Sequence, residues 1–107
     1  MSLNLVELQN LIEKNEAVLI YFSTNHCAPC ISLRPKVLDL VQTKFPKMKL
    51  EFIDAESSLE ITGHYNVFAS PTILLFFDGK ETRRFSKYVS IAELGESIER
   101  YYDMIFE

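Results

Sequence analysis

The stretch Ala17-Val18-Leu19-Ile20-Tyr21-Phe22-Ser23-Thr24-Asn25-His26-Cys27-Ala28-Pro29-Cys30 carries an apolar run into the only two cysteines of the chain. Residues 17–23 read as a buried central strand, because a strand covered on both faces needs no alternation of polar residues. Beyond the cysteines, Val37, Leu38, Leu40, Val41 and Phe45 predict a long helix over about 28–44. Cys27 therefore stands at a strand-to-helix junction, where unpaired N–H groups and the positive end of the helix dipole favour thiolate over thiol. Cys30 follows three positions later, about one turn on, and faces it. Such a dithiol can attack a disulfide, hold the partner as a mixed disulfide and expel it by closing its own bond.

Other readings of the pair compete with this one. A Cys-x-x-Cys is also half of a structural zinc site, which would have to draw its remaining ligands from His26 and His64. Two inert, buried thiols are a third reading. At the level of function, dithiol catalysis stands against a non-catalytic binding module and against a thiol-ligated metal or iron–sulfur carrier. Cys27-dependent turnover of a protein disulfide separates the first, and colour and metal content the second.

At 107 residues and 48% hydrophobic content the chain is one domain, 1–107, large enough to bury a core without staples. A net charge of −4, a pI near 5.2 and the lack of a basic cluster argue against nucleic acid as a partner. No apolar run is long enough to span a membrane. Met1-Ser2-Leu3-Asn4-Leu5-Val6-Glu7 lacks the basic start and apolar core of a signal peptide, so the cytoplasm is the expected compartment. In a reducing cytosol two lone cysteines read as catalytic rather than structural. No cofactor or metal site is legible, and a monomer is expected.

Leu5, Leu8, Leu11 and Ile12 predict an amphipathic helix over about 4–14, ended by Asn15. Pro35 falls inside the long helix, where its ring cannot donate to the ladder and predicts a kink. A second strand is predicted over 48–54, with Met48, Leu50 and Phe52 on one face, followed by a short helix around 57–65 and a loop into Pro71. Thr72 to Phe77 reads as a strand, Asp78-Gly79 as a hairpin turn and Glu81 to Phe85 as the returning strand. Ser90 then caps a final helix whose Ile91, Leu94, Ile98 and Tyr101 form an apolar stripe. The first half needs a right-handed parallel crossover and the second half a hairpin. The expected architecture is α/β, a central mixed four-stranded sheet flanked by helices.

Over essentially its whole length the chain resembles the thioredoxin family. Phe22 to Cys30 resembles the family's strand-to-active-site segment, Ser70-Pro71-Thr72 its cis-proline loop, and Phe77-Asp78-Gly79-Lys80 its hairpin. The resemblance implies the thioredoxin fold and a thiol–disulfide oxidoreductase reducing protein disulfides. It implies that Cys27 is the exposed attacking thiolate, Cys30 the buried resolving thiol, and the Ser70–Pro71 bond cis, with Pro71 against the cysteines and the Ser70 backbone free to pair with a substrate strand. The substrate groove is expected from His26, Ala28, Pro29, Ala69 and Ser70. An external electron donor such as a thioredoxin reductase would restore the dithiol.

The departures from the family are also specific. Where the family has a buried aspartate six residues before its first cysteine, this chain has Tyr21, and Glu51 is read as standing in place of a lysine that faces that aspartate. The tryptophan before the first cysteine is His26, the usual Gly-Pro is Ala28-Pro29, and a glycine of the late substrate loop is Lys87. An imidazolium at His26 would lower the Cys27 pKa; the alternative is an exposed surface residue. His64 reads as a dipole partner at a helix C-terminus. Because a buried thiol gives up its proton poorly unaided, Glu51 is expected beneath Cys30, hydrogen-bonded to the Tyr21 hydroxyl, as the proton acceptor. The competing expectation is that Glu51 reaches solvent and water accepts the proton.

Overall fold

A computed structural model describes residues 3–106; Met1, Ser2 and Glu107 of the expected 1–107 domain lie outside the described residues. The elements follow in the order α1 (Leu5–Lys14), β1 (Ala17–Ser23), α2 (Ala28–Lys44), β2 (Lys49–Asp54), α3 (Leu59–His64), β3 (Thr72–Phe77), β4 (Lys80–Ser86) and α4 (Ile91–Phe106). The sheet order is β2-β1-β3-β4. β1 pairs in parallel with β2 across the α2 crossover and antiparallel with β3, and β3 turns back into β4. Asp78 and Gly79 both take positive φ, 53° and 79°, the backbone of a tight two-residue hairpin turn.

β1 has neighbours on both edges and helices on both faces, which is why its apolar run shows no alternation. Ala17, Leu19 and Tyr21 enter one core with Val37 and Val41 of α2 and Leu94 and Ile98 of α4. Val18, Ile20 and Phe22 enter the other with Leu8 and Ile12 of α1 and Ile61 of α3. The helix starts are locally encoded. Asn4 and Glu7 form a reciprocal capping box at 2.8 and 2.9 Å, and Ser90 Oγ accepts from the Glu93 N–H at 3.0 Å. α2 runs on through Pro35 to Lys44.

The sequence places the element order correctly and errs at the ends: β4 extends one residue past each predicted limit, α3 is shorter than 57–65, and the β3–β4 register slips at Leu75/Phe76. Among the described residues no helix is long and apolar enough to cross a membrane.

Candidate active site

Cys27 is the N-cap of α2, with extended backbone, and its Sγ accepts the Cys30 N–H at 3.2 Å. A sulfur held at this position meets a helix N–H directly, the arrangement that stabilises a thiolate when the bond to its partner opens. Cys27 is partly exposed, whereas Cys30 is 2% exposed. The two form a disulfide with Cα atoms 5.2 Å apart. Pro29 in the first turn of the helix has no N–H to leave unsatisfied there.

The Ser70–Pro71 peptide bond is cis, and Pro71 is buried. Pro29 and Pro71 line one groove together with Leu33, Lys87 and Tyr88. Thr24, Ala69 and Ser70 line a separate groove with Leu59 and Phe68. Of the residues expected from sequence to form the substrate groove, Pro29 borders the first of these and Ala69 and Ser70 the second. His26 and Ala28 are exposed at the start of the helix and line neither groove. The Lys87 N–H donates to the Pro71 carbonyl oxygen at 2.7 Å, and Thr72 Oγ1 donates to the Ala69 carbonyl oxygen at 2.6 Å. These bonds tie the proline loop to β4 and β3.

This sheet order, with a Cys-x-x-Cys at the N-terminus of the first crossover helix opposite a cis-proline loop, matches the sequence resemblance. The family profile described as Thioredoxin matches residues 2–100. The chain belongs to the thioredoxin family. It is 34% identical over 99 residues to the thioredoxin-like protein YdfQ of Bacillus subtilis strain 168, covering 92% of this chain and 88% of that protein. Among solved structures it is similar to oxidised mitochondrial thioredoxin 3 from Saccharomyces cerevisiae, with a TM-score of 0.83, 29% identity, and coverage of 91% of this chain and 90% of that one. The thioredoxin of Fasciola hepatica aligns with a TM-score of 0.81 at 32% identity, covering 90% of this chain and 92% of that one. With its redox-active Cys27–Cys30 disulfide, this thioredoxin-family chain is a thiol–disulfide oxidoreductase. Disulfide-containing proteins and reductases are, in general terms, the partners of such a domain.

One expectation fails in this thioredoxin-family site. The sequence reading puts Glu51 beneath Cys30 and directs it at Tyr21, yet the β1–β2 register pairs Glu51 with Ile20 and Tyr21 with Phe52. Partners in a ladder share a face and successive residues alternate, so Glu51 turns to the α1/α3 side with Ile20 and Ile53. Leu50 and Phe52 pack on the side of Tyr21 and α2. The Tyr21 hydroxyl donates to the Cys30 carbonyl oxygen at 2.8 Å instead. His64 is the last residue of α3, where its Nε2 lies 3.3 Å from Gln9 Nε2 and its ring meets Tyr65 edge-on. Sequence reasoning does not single out Leu59, Phe68 and Tyr88, exposed apolar residues that line the groove of Ala69 and Ser70 or that of Pro29 and Pro71. They sit at chain separations that no local pattern connects.

Proposed function

We propose that this domain reduces disulfides of other proteins. Cys27 attacks the substrate disulfide, one substrate sulfur leaves as a thiolate, and the other stays bonded to Cys27. Cys30 then attacks Cys27, the second substrate sulfur leaves, and the Cys30 proton passes to water. Two electrons have moved from the dithiol to the substrate, and an external donor such as a thioredoxin reductase returns them. The observation that carries this reading is the difference in exposure between the two sulfurs' residues, one accessible and one 2% exposed. A large partner reaches only the first.

The assignment of direction rests on Pro29 and on the cytoplasm as the working compartment, where thiols are kept reduced. The domain acts there as a monomer. The Ser70 backbone offers strand-like pairing to an extended substrate segment, Ala69 and Pro29 supply flanking apolar contact, Pro71 supports the pair from below, and His26 and Ala28 meet the substrate at the helix start.

Insulin reduction with dithiothreitol as electron donor tests the reading. Wild-type protein should accelerate precipitation of the insulin B chain and Cys27→Ser should not. Cys30→Ser expressed in cells should retain partners as mixed disulfides through Cys27. Equal acceleration by wild type and Cys27→Ser rules the proposal out.

A further inference from the structure

Tyr21 forms the floor of the dithiol site. Its side chain is fully buried, its ring meets Phe52 edge-on with centroids 5.4 Å apart, and its hydroxyl donates to the Cys30 carbonyl oxygen at 2.8 Å. That carbonyl belongs to the first turn of α2, the turn that holds the Cys30 sulfur toward Cys27. Arg34, one turn further along α2, lays its guanidinium 4.0 Å over the Phe52 ring, so the wall of the phenol's pocket is itself pinned. Leu50 of β2 and Ile73 of β3 share the buried face with Tyr21. Burial pushes the phenol above its ordinary range, which keeps the hydroxyl a donor.

We propose that Tyr21 is the positioning residue of the resolving cysteine: its hydroxyl fixes the Cys30 carbonyl, and through it the helix turn that aims the Cys30 sulfur at Cys27. The inference rests on the proposed roles of the two cysteines. In the step concerned, the Cys30 sulfur bonds to the Cys27 sulfur, the bond from Cys27 to the partner sulfur breaks, and the partner departs as a thiolate with the electron pair. The Cys30 proton goes to water. Tyr21 touches none of these atoms; it narrows the range of approach of one sulfur to the other. Cys27 also has a contact of its own, its N–H to the Thr24 carbonyl oxygen at 3.4 Å, and its sulfur takes the Cys30 N–H rather than the carbonyl that Tyr21 holds, so the phenol bears chiefly on the second attack.

Reduced protein mixed with equimolar dithiobis-nitrobenzoate separates the two steps, because one thionitrobenzoate is released on attack by Cys27 and a second on closure by Cys30. Tyr21→Phe keeps the ring and its packing. Its first release should match wild type and its second should be slower by about five-fold, the order of one net hydrogen bond. Phe52→Leu leaves the hydroxyl but removes its wall, and should also slow the second release alone. General destabilisation would act on both releases alike. An unchanged second release in Tyr21→Phe, or equal slowing of both, overturns the role of Tyr21. The cysteine roles are read in the same assay, since Cys30→Ser should keep the fast first release and Cys27→Ser should lose it. The reverse pattern overturns the cysteine assignment, and this inference with it.

Discussion

Arg84 of β4 donates to the Tyr65 carbonyl oxygen at 2.8 Å, and the same guanidinium reaches the Asn66 carbonyl oxygen at 3.0 Å. It also holds both oxygens of the Glu81 carboxylate, at 2.8 and 2.9 Å. A rigid planar fork can serve all of these acceptors at once, which an ammonium cannot. The effect is to fasten the end of α3 to the edge of the sheet immediately before Phe68, Ala69 and Ser70. Asn66 adopts φ of 55° at this junction.

Replacing Arg84 by Met should therefore cost about 1–2 kcal/mol, allowing for partial exposure of the pair, and Arg84→Lys should recover little of it. Urea denaturation measures the cost. Because the loop that follows lines the groove proposed to take the substrate, insulin reduction should fall more than the reaction with a small aromatic disulfide; an equal fall in both would separate the clamp from substrate docking.

Stability at alkaline pH should carry the signature of Tyr21. Its folded-state pKa is raised from 10.0, chiefly by burial and against the opposing field of Arg34. The folded state then keeps the proton longer than the unfolded state does. The phenol's contribution is complete below about pH 10 and is lost as pH rises above that value through the folded-state pKa. The stability difference between oxidised wild type and Tyr21→Phe, from urea midpoints at successive pH values, should be constant below this point and shrink above it. Parallel curves through the alkaline range would contradict the assignment. Tyr65, raised by burial and by Glu81, should behave likewise.

Phe68 and Leu59 are 88% and 73% exposed on the groove that contains Ala69 and Ser70. Phe68→Ser should leave thermal stability within about 0.5 kcal/mol, as expected of an exposed position. It should raise KM for a protein disulfide several-fold at constant kcat, the pattern of lost uniform binding. Steady-state kinetics with insulin decide between this and a passive surface residue, for which KM would not move.

Two left-handed residues make opposite predictions. Gly79 has φ of 79° and open space where an alanine methyl group would stand, so Gly79→Ala should lose about 1 kcal/mol through backbone strain alone. Lys87 has φ of 69°, and Lys87→Gly should be neutral or stabilising by up to about 1 kcal/mol. Calorimetric melting of both variants checks the pair; a stabilised Gly79→Ala would show that the turn relaxes out of its left-handed form.

Much of this molecule is written locally. Six buried residues in a row at Ala17–Phe22 can only satisfy both faces of an interior strand, and Asn4, Ser90 and Asp78-Gly79 mark helix starts and a turn through contacts spanning a few residues. The Cys27/Cys30 pair is equally local, because three-residue spacing at a helix start already brings two thiols within bonding reach. The surroundings of that pair depend on strands distant in the chain. Whether Glu51 or Phe52 stands beside Tyr21 is a matter of one residue of register between β1 and β2, and a one-residue difference moves a side chain to the opposite face. Sequence alone determined the fold and the dithiol; tertiary structure decided that a phenol, an aromatic ring and a stacked guanidinium lie beneath Cys30, since only strand pairing sets which side chains share that space.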